Sequence, residues 1–159
     1  MNARTLKQQL RYKIPQLKLA LIREPQSAPM PQINTPQDFE PYLAPMRCLS
    51  EENFVAFHLN PRNQVIGYHL VSQGTVSASL VHPREVFKAA LLSNAYSILV
   101  AHNHPSGNSS PSPDDLDTTS TIVQAARIMN IHILDHLIVT DSDIYSIREH
   151  YSNLFELPI

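Results

Sequence analysis

The stretch ILVAHNHPSGNSSPSPDD, residues 98–115, limits what this chain can fold into more tightly than any other. Ile98–Ala101 form a short, continuously apolar run, the pattern of a strand buried on both faces. Pro, Ser, Gly and Asn then fill residues 105–111, and Ser112-Pro113-Asp114-Asp115 follows. That ending has the grammar of a helix start, with Ser as N-cap, Pro at the first helical position and Asp three residues after the cap. The stretch is therefore a central strand, a stiff loop and a helix. Residues two apart on a strand share a face, so His102 and His104 project together at the strand's exit. Open α/β sheets gather their sites at that end of their strands.

Two imidazoles on one face invite a metal, and the composition says which kind of site is open to it. The chain has one cysteine, Cys48, among 159 residues, which excludes a disulfide framework and any Cys-rich zinc site. A metal would have to be held by histidine and carboxylate. Catalytic zinc takes three protein ligands and keeps a position for water, and the loop delivers Asp114 and Asp115 as candidates for the third. A plain capping role also accounts for Ser112 and Asp115, since Thr35-Pro36-Gln37-Asp38 repeats the grammar with no histidine beside it. The two roles are compatible, because a helix N-terminus fixes its first-turn carboxylate.

The rest of the chain reads as strands and helices in alternation. Thr35 caps a short helix opened by Pro36. NFVAFHLNPRNQVIGYHLVSQGTVSASLV reads as a meander of three strands, with turns at Pro61-Arg62-Asn63 and Gln73-Gly74. HPREVFKAALLSNA is a helix with Val86, Phe87, Ala90 and Leu91 on one face. The helix after Ser112 carries Leu116, Thr119, Val123 and Ala126 at helical spacing, and IHILDHLIVTD supplies one or two further strands. The class is α/β, or α+β, with a mixed sheet flanked by helices. Residues 1–34 form a basic, proline-rich arm whose LKLALI could add an edge strand, and residues 35–159 form the compact domain. At this length the domain needs no disulfide or metal to fold.

His-x-His, seven residues and then Ser-x-x-Asp is the signature of the JAMM (MPN+) metalloproteases. Here it reads His102-Asn103-His104, residues 105–111, then Ser112-Pro113-Asp114-Asp115. The passage resembles that family and more closely its RadC branch, through HNHPSG, the following PS and Asp, GTVSASLVHPREVFKAALLSNAYSILVAHNHPSG, and ILDHLIV. The resemblance covers residues 47–149. It implies a mixed sheet related to the cytidine-deaminase-like fold, and a Zn²⁺ held by His102, His104 and Asp115. It further implies that Ser112 stabilises a developing oxyanion and that a glutamate before an early strand serves as general base. SEENFVAFHLN offers Glu51 and Glu52, and the family's spacing to the following aromatic favours Glu52, with Glu51 as the alternative. The implied reaction is hydrolysis of an amide or isopeptide bond in a peptide or protein substrate. Asp135-His136 also recurs in the branch and is read as structural, or as a support behind the ligands. His58, His69, His82, His132 and His150 lack a partner at ligand spacing and read as surface or core histidines.

Charge bears on partners. Residues 1–23 hold six of the 12 basic residues and no acid, so the remainder nets -8. Such an arm suits a weak nucleic-acid contact, and equally a solvated tail. Full-length members of the RadC branch usually carry an N-terminal helix-hairpin-helix region, which a 34-residue proline-rich arm is too short to hold. No run approaches 18 apolar residues and lysines interrupt the N-terminal apolar pieces, so the expectation is a cytoplasmic protein without a membrane span. Rival chemistries fail on residue count or type. An amidohydrolase barrel needs about 250 residues, and a zinc nucleobase deaminase needs His-x-Glu and Pro-Cys-x-x-Cys. The remaining rival is a RadC-like module that keeps the fold but binds DNA or protein without turnover.

Overall fold

Continuous apolar runs and a clean hairpin turn build a five-stranded sheet. The structure is a computed structural model, and it describes residue 20 and residues 32–74 and 81–156. The strands are β1 (Asn53–Leu59), β2 (Val65–Gln73), β3 (Ser97–Asn103), β4 (His132–Val139) and β5 (Ile144–Ser146). Their order across the sheet is β2-β1-β3-β4-β5. β3 and β4 run parallel and the other neighbours antiparallel, so the sheet is mixed and the class is α/β, as the sequence predicts. Every residue of β1 and of β3 is buried, because both lie inside the sheet with a layer on each face.

Those layers are helical. A short segment runs through a 3-10 turn at Pro36–Phe39, α1 (Glu40–Leu43) and a second 3-10 turn at Ala44–Met46. On that face Phe39, Leu43 and Met46 pack with Val55, Phe57, Leu99 and Leu137. The other face is covered by α2 (Pro83–Leu92) and α3 (Pro113–Ile128), where Val86, Phe87, Ile122 and Val123 meet Phe54, Ile98 and Val100. His102 has the same parity as Ile98 and Val100, so it belongs to the α3 face. α3 is also the crossover that a parallel β3–β4 pair requires. A last short helix, α4 (Ile147–His150), closes the described chain with a 3-10 turn at Ser152–Leu154.

Turns and helix ends depend on asparagine here. The β1–β2 turn sits at residues 60–64, where Asn63 adopts φ 56° and the Asn60 side chain accepts from the backbone of Arg62 and Gln64. α2 and α3 both end through an asparagine with positive φ, Asn94 at 52° and Asn130 at 54°. Ala95 N–H then returns to the Ala90 carbonyl at 3.0 Å and Ile131 N–H to Ala126 at 2.9 Å, the bond that closes a left-handed helix end. With three glycines in the chain, asparagine is the next residue able to take that conformation.

One detail departs from expectation. Leu91 is 51% exposed while Val86, Phe87 and Ala90 are buried. At about 100° per residue Leu91 lies roughly 90° round the helix from the centre of that trio, at the edge of the face. IHILDHLIVTD gives one strand, β4, and the next begins beyond it at Ile144. The third strand of the meander, the arm's LKLALI and the basic residues 1–23 fall outside the described residues apart from Ala20 and Val81. Among the described residues no helix is long and apolar enough to cross a membrane.

Candidate metal centre

The sheet holds both histidines of the pair. β3 ends at Asn103, yet His104 N–H still donates to the Val139 carbonyl of β4 at 2.8 Å. His102 lies opposite Phe54 in the β1–β3 register, which brings the residues just before β1 alongside. Beyond His104 the chain must turn at once to clear the site. Gly107 supplies that turn with φ 79°, its N–H donating to the His104 carbonyl at 3.1 Å.

The helix start brings the carboxylate. Ser112 caps α3, accepting from Asp115 N–H at 3.2 Å, while its own N–H and hydroxyl donate to Asp115 Oδ2 at 2.7 and 2.6 Å. Asp115 Oδ1 is left facing His102 Nε2 at 3.2 Å, and Oδ2 stands 3.6 Å from His104 Nε2. The two histidine Nε2 atoms are 2.9 Å apart. One carboxylate thus serves as both cap and site residue. Asp114, the other candidate, lines the adjoining cleft but stands outside the cluster of His102, His104 and Asp115.

Ligand atoms at 2.0–2.1 Å from a tetrahedral zinc stand about 3.3 Å from one another, and the three separations here bracket that value. Hydrogen bonding also leaves the cluster-facing nitrogen of His104 bare. His104 Nδ1 lies 2.7 Å from the Asn108 carbonyl, which can only accept, so Nδ1 carries the proton and Nε2 presents a lone pair. Two imidazole nitrogens and a carboxylate crowd one another at these distances unless a cation or a proton sits among them. The donor set therefore fits zinc. Without metal a proton does that work. Asp115, with a lesser contribution from Asn108, holds the His104 pKa above its ordinary value against the effect of burial. Burial pushes the Asp115 carboxyl up, but hydrogen bonds from His102 and His104 outweigh it and leave the group well below the carboxylate range.

A cleft of about 310 Å³ opens over this cluster, lined among others by Glu52, His104, Asn108, Ser112 and Asp115. Glu52 is half-buried at its wall, whereas Glu51 is exposed and is not part of the lining. The Ser112 hydroxyl has its one proton committed to Asp115, so donation into the cleft requires it to rotate away. The segment carrying Glu52 is tied down from both sides. Its carbonyl accepts from Gly74 N–H at 2.9 Å, and the buried Asn103 side chain accepts from Asn53 N–H at 2.8 Å while donating to the Glu51 carbonyl at 3.0 Å.

Two supporting residues escaped the sequence reading. Asn103 sits between the two histidines and faces the opposite side of the strand. Thr119 lies one helical turn past Asp115, a spacing that signals proximity without revealing a partner. Asp135 does structural work, accepting from His136 N–H, the Ser146 hydroxyl and Arg148 N–H at 2.7, 2.6 and 3.0 Å. His136 lies directly behind His102. Of the other histidines, His58 is buried against Ser93, His132 packs on Tyr96 and His150 on Tyr145. None of these, nor His69 or His82, joins the cluster.

Residues 33–152 match the family model described as a RadC-like JAB domain. A UPF0758 protein of Geobacillus sp. (strain WCH70) is 47% identical over 118 residues, covering 74% of this chain and 52% of the relative. The UPF0758 protein of Shouchella clausii is 46% identical over 120 residues, 75% of this chain and 52% of the relative. That of Symbiobacterium thermophilum is 46% identical over 126 residues, 77% and 54% respectively. The chain spans about half the length of the curated relatives it matches.

Proposed function

This chain belongs to the RadC-like JAB domain family, and on that premise we propose that it is a zinc-dependent hydrolase of amide or isopeptide bonds. The observation that carries the reading is the convergence of His102 Nε2, His104 Nε2 and an Asp115 oxygen, 2.9–3.6 Å apart, at a cleft that Glu52 also lines. A zinc ion bound there supplies a water whose pKa is brought toward 7 and a Lewis acid for the scissile carbonyl. The residues supply the rest. Glu52, at the wall of the cleft, would accept a proton from the attacking water and return it to the leaving amine nitrogen. Ser112 would donate a hydrogen bond from its hydroxyl to the carbonyl oxygen as that oxygen gains charge, turning away from Asp115, which retains the Ser112 backbone N–H. The loop carrying Ser106 and Asn108 also lines the cleft and would face the substrate.

The test is Glu52→Gln, which keeps the shape and hydrogen bonding of the side chain but cannot take the proton. Turnover of a mixed peptide library should fall by roughly 10²–10⁴ while the variant still binds one zinc per chain. Unchanged turnover refutes the assignment of the base. Absence of turnover in the unmodified, zinc-loaded protein would favour a binding module that keeps the fold without the chemistry.

A further inference from the structure

Behind the candidate ligands runs a closed circuit of hydrogen bonds. His102 Nδ1 is 2.8 Å from His136 Nε2. His136 Nδ1 is 2.6 Å from Thr119 Oγ1, and Thr119 Oγ1 is 2.6 Å from the Asp115 carbonyl oxygen. His102, His136 and Thr119 are each at most 1% exposed, so water does not compete for these atoms. The circuit starts on the backbone of one ligand and ends on the ring of another.

Its direction is forced. A carbonyl oxygen only accepts, so the single proton of the Thr119 hydroxyl goes to Asp115. Toward His136 the same hydroxyl can then only accept, which puts a proton on His136 Nδ1. His136 is wholly buried with no carboxylate hydrogen-bonded to its ring, and a buried ring in that setting is uncharged. Its Nε2 is therefore bare and accepts from His102 Nδ1–H. His102 is left with an unprotonated Nε2, the atom that faces His104 and Asp115. We infer that Thr119 and His136 are positioning residues which fix the tautomer of His102, and through it the competence of His102 as a ligand. The consequence for metal rests on the zinc reading above, but the tautomer itself does not.

Thr119→Val isolates the effect. It preserves the side chain's shape and removes the hydroxyl, while the Asp115 carbonyl keeps its helical partner, the N–H four residues on. His136 Nδ1 then has no acceptor. Its proton moves to Nε2, where it donates to His102 Nδ1, and the His102 proton is displaced onto Nε2, pointing into the ligand cluster. Removing a partner of this kind typically lowers metal affinity 10–100-fold. Thr119→Ser restores the hydroxyl and should restore the affinity.

The experiment is side-chain ¹⁵N NMR of the full chain, freed of metal and above neutral pH, together with zinc affinity by chelator competition. Unmodified protein and Thr119→Ser should show His102 and His136 as Nδ1–H tautomers. Thr119→Val should show both as Nε2–H, with zinc affinity down 10–100-fold. An Nε2–H tautomer at His102 in the unmodified protein overturns the inference whether or not the variant folds. So do unchanged tautomers in Thr119→Val. If the tautomers are as described and zinc does not bind, the metal reading fails and the circuit stands. If zinc binds while the tautomers are reversed, the circuit alone fails.

Discussion

Acid should destabilise this fold through one histidine outside the candidate metal cluster. His58, on β1, is 3% exposed. The Ser93 hydroxyl donates to the Ala90 carbonyl at 3.0 Å and so accepts from His58 Nδ1–H at 3.1 Å. Nε2 is buried without a partner. Burial first, and the nearby His69 second, push the His58 pKa from 6.5 down to about 4. The unfolded chain therefore takes up this proton near pH 6.5 and the folded chain only near pH 4. Stability from the neutral ring is complete above about pH 6.5, declines as pH falls, and is gone below about 4. That gap, at roughly 1.4 kcal/mol per pH unit, amounts to about 3 kcal/mol. Carboxylates and other histidines titrate in the same window, so the quantity to measure is a difference. Urea unfolding of the unmodified protein and of His58→Leu, with chelator present, gives two stabilities at each pH. The unmodified protein should lose about 3 kcal/mol relative to the variant between pH 7.5 and 4. A difference that stays constant with pH, or grows in favour of the unmodified protein on acidification, refutes the reasoning.

Asn103→Ala strands the Asn53 N–H, whose partner it was. It should cost about 1–3 kcal/mol in urea unfolding and reduce turnover through Glu52 while leaving zinc stoichiometry at one. Ser112→Ala removes the cap of α3. It should cost about 0.5–2 kcal/mol of stability in the same assay and lower turnover as well.

Elements governed by local rules were open to sequence reasoning. β1 and β3 are marked by their apolar runs, and α3 by Ser112-Pro113 and the acid at 115, because period, capping and proline geometry act within a few residues. The His-x-His pair could be placed on one face for the same reason. What escaped depends on distant chain. His58 lies in the same apolar run as Phe57 and Leu59, and nothing local says that Ser93 will be its one partner. Thr119 reads as an ordinary small residue on a helix face until His136 arrives from β4, where the register against β3 shifts between Ile98 and Val100. That shift sets His136 opposite Val100, on the His102 side of the sheet, and a two-residue alternation carried through Ile133 and Asp135 would have placed it on the other. The helix ends at Asn94 and Asn130 carry no glycine, the usual mark of a left-handed helix end.

The central claim is that His102, His104 and Asp115 form one zinc site, and a titration tests it most directly. Chelator-competition binding of zinc to metal-free protein near pH 7.5 should give one equivalent per chain, abolished by His102→Ala while the melting transition persists. Affinity should weaken as pH falls, because Asp115 helps His104 hold a proton that the metal must displace. Failure to bind zinc, or one equivalent retained by His102→Ala, contradicts the account.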